Sequence, residues 1–196
     1  MGEAGARYNT NMSRLDRAFQ KIHREDFLPE KFQGHAEMDT PIPIGFGQTN
    51  SQPSTVYQML KWLDARKGDR VLDVGSGSGW TTALLANIVG KKGYVYGVEK
   101  IPELVEFGRN NCSKLPINNI RFYQSVDKFG IPEHAPFDRI LVSASAQKLP
   151  FKLISQLVIR GKLVIPVQNT ILEILKTTNT EYEITEHPGY IFVPLM

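Results

Sequence analysis

The run Val71-Leu72-Asp73-Val74-Gly75-Ser76-Gly77-Ser78-Gly79 constrains the fold of this chain more than any other segment. VLDV is a short apolar run of the kind that becomes a fully buried strand. Glycines follow at every second position, and then WTTALLANIV, which has the length and composition of a helix. Glycine lets the chain turn sharply after the strand, and it leaves bare backbone for a ligand to lie against at the helix N-terminus. The dinucleotide pattern G-x-G-x-x-G needs glycine where Trp80 stands, which lowers the nicotinamide reading. A ligand with a ribose but no phosphates suits so compact a turn.

The rest of the chain continues the unit. YVYGV (94–98) reads as the next strand and ends at Glu99, where a carboxylate can accept both hydroxyls of a ribose. Pro102 opens a helix reaching about Leu115. IRFYQ (120–124), FDRILVS (137–143) and KLVIPV (162–167) are further strands, and PFKLISQLVI is read as a helix capped by Gly161. ILEILKTT, EYEIT and YIFVPL close the chain as strands. Alternating strands and helices imply an α/β fold with a mostly parallel, doubly wound, Rossmann-like sheet, and the last strands add antiparallel edges. Upstream, Leu15, Phe19 and Ile22 recur at helical spacing, as do Val56, Met59, Leu60 and Leu63 behind Pro53. The connection 25–53 between these helices is long and irregular, which in a compact domain marks function or disorder.

At 196 residues the chain fits one domain. Residues 12–66 are expected to hold the N-terminal helices and the long loop, residues 67–196 the Rossmann-like core, and residues 1–11 a flexible tail. The net charge of +3 is spread along the chain, which argues against a nucleic-acid partner. Cys112 is the only cysteine, so no internal disulfide forms and a cytoplasmic location is the economical reading. No apolar run approaches membrane-spanning length, no secretory h-region is present, and Ala6 departs from the myristoylation pattern. His23, His35, His134 and His187 are scattered, and no metal cluster is expected.

The segment Asp39-Thr40-Pro41-Ile42-Pro43-Ile44-Gly45-Phe46-Gly47-Gln48-Thr49-Asn50-Ser51-Gln52-Pro53 resembles the signature D-x-P-x-x-I-G-x-G-Q-T-I-S-Q-P of the protein-L-isoaspartate O-methyltransferases. HAPFDRILVSASA (134–146), RGKLVIPV (160–167) and FVPL (192–195) resemble that family as well. The likeness runs from about Ser13 to the C-terminus, and the Gly-Gln-Thr-x-Ser-Gln-Pro part is its specific portion. It implies a class I S-adenosylmethionine-dependent methyltransferase, expected to act as a monomer on isoaspartyl residues of damaged proteins, with S-adenosyl-L-homocysteine as the cofactor product.

The resemblance also implies roles. Gly75, Ser76, Gly77 and Gly79 would carry the methionine part of the cofactor and Glu99 its ribose, with Lys100, Gln48 and Asn50 beside them. Val126 and Asp127 would lie at the adenine. Thr49 and Ser51 would face the transferred methyl and the substrate carboxylate, with Asp39 and Ile44 on the substrate side. Ser51 has a second reading as the N-cap of the helix behind Pro53. Three positions depart from the family: Ser125-Val126-Asp127 stands for Gly-Asp-Gly, Asn50 for isoleucine, and the loop Gln168-Asn169-Thr170 is shortened. The implied reaction is in-line attack of a carboxylate on a sulfonium methyl. A carboxylate of pKa about 4 is ionised at neutral pH, so alignment and desolvation matter more than a general base. The alternatives are a methyltransferase of another substrate (a small molecule, a peptide natural product or RNA) and a cofactor-binding protein with little turnover. A dehydrogenase is a distant third.

Overall fold

The computed structural model describes residues 12–125 and 129–195. The tail expected at residues 1–11 and the adenine positions Val126 and Asp127 lie outside them. The first helix, α1 (Arg14–Lys21), starts at Ser13 in a capping box: the Ser13 hydroxyl accepts from Asp16 N–H, and the Asp16 carboxylate accepts from Ser13 N–H. Two 3-10 turns follow, Arg24–Phe27 and Glu30–His35, then a small hairpin of β1 (Ile42–Gly45) and β2 (Gln48–Asn50). Three consecutive positive φ angles at Gly45, Phe46 and Gly47 make its turn, which explains two glycines in three residues. Helix α2 (Pro53–Leu63) buries Val56, Met59, Leu60 and Leu63 at the predicted spacing.

The core is a seven-stranded sheet in the order β5-β4-β3-β6-β7-β8-β9. Its strands are β3 (Arg70–Val74), β4 (Tyr94–Glu99), β5 (Ile120–Gln124), β6 (Phe137–Val142), β7 (Leu157–Val167), β8 (Thr170–Lys176) and β9 (Tyr182–Pro188). The first five are parallel, and β8 and β9 add antiparallel pairs. Helices α3 (Trp80–Val89) and α4 (Pro102–Ser113) connect the first parallel strands, and α5 (Phe151–Ile154) precedes β7. Side chains alternate across the sheet. Val71, Val95, Leu141 and Val164 share one apolar cluster with α1, α2, α3 and α4. Leu72, Val98, Ile140 and Leu163 share a second with Leu153 and Ile154 of α5. α1 and α2 therefore pack into the same core as the central strand.

Trp80, where a dinucleotide fold has glycine, is buried. Its indole N–H points at Ile22 O (3.4 Å) and its ring meets Phe19 edge-on, so it ties α3 to α1. Gly79 has neither the room nor the backbone for a side chain. Its φ is +89°, and a Cβ there would stand 3.0 Å from Gly108 O and 3.1 Å from Cys112 Sγ of α4. Cys112 is a buried core residue, as expected, and burial pushes its thiol up to about 12.

Two segments differ from the sequence reading. PFKLISQLVI is not one helix: α5 ends at Ile154, and Leu157, Val158 and Ile159 already belong to β7. Gly161 is inside that strand, where a Cβ would approach Val158 O at 2.9 Å and Asp138 O at 3.1 Å, so it marks a close backbone approach rather than a helix stop. Val158 and Ile159 are β-branched, and the pull of the sheet on them overrides the short helical pattern. YIFVPL forms no strand beyond a single bridge from Pro194 to Ser145. Its exposed Ile191 has no neighbouring strand to pair with.

Asp73, at the end of β3, is wholly buried. Both threonine hydroxyls of α3's first turn, Thr81 (2.8 Å) and Thr82 (2.6 Å), donate to its Oδ2. Burial, the larger effect, and the nearby Glu99 carboxylate push its pKa up to about 6. An acid whose folded pKa exceeds its unfolded value near 3.8 adds stability below the lower value and loses it as pH rises through the higher. Asp73→Asn should remove this dependence. The stability difference between variant and wild type, measured by denaturant titration, should shift in the variant's favour by about 2 kcal/mol between pH 4 and 6. A difference flat across that window would show that Asp73 titrates normally.

Candidate active site

β3 and β6 lie side by side at the centre of the sheet, and the chain winds away from them in opposite directions. Such a switch point opens a crevice at the carboxyl ends of the strands. Here the crevice is an open pocket of about 1030 Å³, solvent mouth included. Gly75 and Gly77 of the turn, Glu99 and Lys100 at the end of β4, and Ile44, Gln48 and Thr49 of the hairpin line it. A Cβ on Gly77 would stand 3.2 Å from Ile44 Cδ1, so the bare glycine lets the hairpin close over the turn.

The glycine turn is held by backbone bonds. Gly75 and Ser76 both donate to Val98 O (2.8 and 3.1 Å), and Gly79 donates to Ser76 O (2.8 Å). Glu99 reaches across from β4. Its Oε2 accepts from Gly77 N–H (3.0 Å), and its Oε1 accepts from Lys100 N–H (2.8 Å) and Ile101 N–H (3.1 Å). An ionised carboxylate offers about four acceptor positions, so these three leave it able to take a hydroxyl as well. Ser76 Oγ is buried with no hydrogen-bond partner among the described residues, beside a small cavity between the turn and Thr49-Asn50-Ser51. A polar ligand group there would satisfy it, so this site fits the amino-acid end of S-adenosylmethionine.

In β2 the alternation of the strand separates two tasks. Asn50 points inward and is buried, while Thr49 and Ser51 are half-buried on the opposite side. Thr49 and Ser51 both border a groove of about 690 Å³ that runs outward from the pocket past Gln52, Ile191 and Phe192. Asn50, which replaces the family isoleucine, accepts from Arg24 Nε through Oδ1 (2.8 Å) and donates through Nδ2 to Ser78 Oγ (3.1 Å). Arg24 is itself buried, and its remaining N–H groups serve Ala36 O, Met38 O, Thr40 O, Asn50 O and Ser51 O at 2.8–3.2 Å. Burial lowers its pKa to about 10, still a cation at neutral pH, and its guanidinium stands 5.5 Å from the Trp80 ring.

The reading of Ser51 as a helix cap does not hold. The N-cap of α2 is Gln52, which makes no capping bond with its own side chain. Asp39 supplies the cap from a distance: its Oδ1 accepts from Ser54 N–H (2.9 Å) and its Oδ2 from the Gln52 amide (3.0 Å). These bonds hold the Asp39 carboxyl below the usual range, the Ser54 N–H first among them. Asp39 thus sits at the start of α2, while Ile44, Gln48, Thr49, Gly75, Gly77, Glu99 and Lys100 meet in the pocket. Sequence reasoning left out Ser143, Phe129 and the closing residues Val193, Pro194 and Leu195, which line the same pocket. Ser143 follows the last residue of β6, and a strand end at a switch point is a signal that the fold class alone provides.

The strand order, with β3 flanked by two parallel halves and antiparallel strands at one edge, is that of the class I S-adenosylmethionine-dependent methyltransferases. A profile of the protein-L-isoaspartate(D-aspartate) O-methyltransferase family matches residues 6–196, and the chain belongs to that family. It is 44% identical over 159 residues to the protein-L-isoaspartate O-methyltransferase of Fervidobacterium nodosum, covering 81% of this chain and 80% of that one. A solved protein-L-isoaspartate O-methyltransferase superposes with a TM-score of 0.85 at 27% identity over 94% of this chain, which spans only 62% of that longer chain. A Plasmodium falciparum structure in complex with S-adenosyl-L-homocysteine superposes with a TM-score of 0.84 at 29% identity, over 95% of this chain and 91% of that one.

Replacing Arg24 tests what holds the segment 36–51 in place. Arg24→Met leaves buried carbonyls from Ala36 to Ser51 without a donor and should cost about 3–5 kcal/mol of stability by denaturant titration. A loss under about 1 kcal/mol would show that the segment 36–51 keeps its shape unaided.

Proposed function

We propose that this chain methylates the α-carboxyl of L-isoaspartyl residues in damaged proteins, using S-adenosylmethionine. Membership of the family carries this reading, supported by Thr49, which borders both the cofactor pocket and the outer groove, and by Ser51 beside it on the groove. When bound, the cofactor supplies a methyl group to a carboxylate oxygen, the C–S bonding pair returns to sulfur, and no proton is lost. The residues therefore have to bind, align and exclude water. Gly75, Ser76, Gly77 and Gly79 hold the amino-acid end of the cofactor, and Glu99 holds the ribose, with Lys100, Gln48 and Ile44 closing the pocket. Val126 and Asp127 remain assigned to the adenine end. Thr49 and Ser51 present hydroxyls to the acceptor, and Ile191 and Phe192 offer apolar contact to the flanking peptide. Asn50 acts from behind, through its bonds to Ser78 and Arg24.

The spread of charge supports a chain that acts as a monomer on proteins rather than on nucleic acid, and its buried, protonated thiol suits the cytoplasm. No helix among the described residues is long and apolar enough to cross a membrane.

The reading is tested with paired peptides that differ only in aspartate or isoaspartate. Labelled methyl should pass to the isoaspartyl peptide far faster than to its twin. Equal rates on both, or none on either, would assign the chain another acceptor.

Glu99→Ala removes the bonds to the ribose and the anchor of Gly77. Calorimetry should show the affinity for S-adenosyl-L-homocysteine falling by about tenfold or more, each charge-assisted bond being worth about 1.5–3 kcal/mol. An unchanged Kd would refute the ribose assignment.

A further inference from the structure

The cofactor pocket, the small cavity behind it and the outer groove meet at one place. Two described residues border all three: Thr49 on the hairpin and Ser143 on the sheet. An acceptor group that enters from the groove and reaches toward the cofactor passes between them. Ser143 is the first residue beyond β6. Its N–H donates to Val74 O (2.9 Å), which continues the β3–β6 ladder one step and fixes the serine beside Gly75. It is half-buried, and its neighbour Ser145 shows the contrast: Ser145 Oγ is spent on Gln168 O (2.9 Å). Among the described residues the Ser143 hydroxyl makes no such bond.

We propose that Ser143 is a third hydroxyl of the acceptor site, donating to the carboxylate oxygen that does not receive the methyl. The inference rests on the carboxyl-methylation reading above. An ionised acceptor needs donors where it sits, and neither nearby cation supplies them. The N–H groups of Arg24 are spent on the Asn50 side chain and on carbonyls, and Lys100 lines the cofactor pocket but neither the small cavity nor the outer groove. Hydroxyls suit this acceptor better than a cation, because its charge disappears as the ester forms. A group that grips the negative charge tightly would favour the ground state over the transition state. For the same reason Ser143 acts chiefly on binding. Its bond is made to the free carboxylate and is largely kept until the ester is complete, so its loss should raise KM and leave kcat nearly unchanged.

The experiment compares wild type, Ser143→Ala and Ser143→Thr, each saturated with S-adenosyl-L-homocysteine. Calorimetry measures the binding of an isoaspartyl peptide and of the same peptide with its α-carboxyl replaced by a carboxamide. Loss of one charge-assisted bond should weaken binding of the acid peptide to Ser143→Ala by about tenfold or more, with little change for the amide. Ser143→Thr, which keeps a hydroxyl, should restore the preference for the acid. In turnover, Ser143→Ala should show a KM raised by a similar factor and a kcat within about threefold of wild type. Equal losses for acid and amide, no loss for either, or a parallel fall in S-adenosyl-L-homocysteine affinity would each overturn the assignment of Ser143. A wild type that binds and methylates the peptide while Ser143→Ala behaves identically would overturn Ser143 alone. A wild type that binds neither peptide would overturn the carboxyl-methylation reading, and this inference with it.

Discussion

The guanidinium of Arg24 organises the part of this protein that has no regular structure of its own. Between Ala36 and Ser51 the chain has one short hairpin, and an irregular segment leaves its carbonyls to be satisfied by something other than a helix or a sheet. A single planar cation with five N–H groups reaches five of those carbonyls and the Asn50 side chain. Burial of a charge without a carboxylate partner is costly, and dense hydrogen bonding is what offsets it. Because two of the carbonyls belong to Asn50 and Ser51, the position of this end of the hairpin follows from the position of Arg24. Its own 3-10 turn packs through Phe27 into the main core, so the loop is anchored to the sheet although it pairs with no strand of it.

The second constraint is the closeness of the glycine turn to α4. Gly79 and Gly108 approach until neither has room for a side chain, and Cys112 fills the space beside them. That contact fixes where α3 begins, and so where the N–H groups at its start and the buried Asp73 carboxylate lie. Asp73 and Glu99 stand at the ends of adjacent strands and raise the cost of ionisation for the more buried of the two. Glu99 spends its carboxylate oxygens on the backbone N–H groups of Gly77, Lys100 and Ile101, while Asp73 braces the first turn of α3 through Thr81 and Thr82.

Periodicity made most of the fold legible. Buried parallel strands are short apolar runs, and the helices between them carry proline at their starts or glycine at their ends, so β3 to β6 and α2 to α4 fall close to where the patterns place them. The pattern failed at Leu157–Ile159, where four or five apolar residues fit a helix and a strand equally and the neighbouring β6 decides. The pocket was legible through the glycine turn and Glu99. Ser51 misled because serine before a proline is a common cap, and the true cap, Asp39, comes from 15 residues away in sequence, where local chemistry cannot find it. Arg24 was invisible for a like reason: a lone arginine in a charged stretch reads as surface until the loop it holds is seen around it.

The substitution at Asn50 shows how a departure from a family pattern is absorbed. An isoleucine at this inward position of β2 would leave Arg24 Nε and Ser78 Oγ to find other partners. An asparagine satisfies both at once, because its amide carries an acceptor and a donor on one rigid plane. The exchange therefore occurs at the buried position of the strand, while Thr49 and Ser51 on either side of it border the outer groove. It also joins two parts that line the same small cavity. Asn50 lies on the loop that carries Thr49 and Ser51, and Ser78 lies on the glycine turn. A bond between them fixes the separation of loop and turn, and alignment of this kind is what a group transfer without a general base asks of a protein.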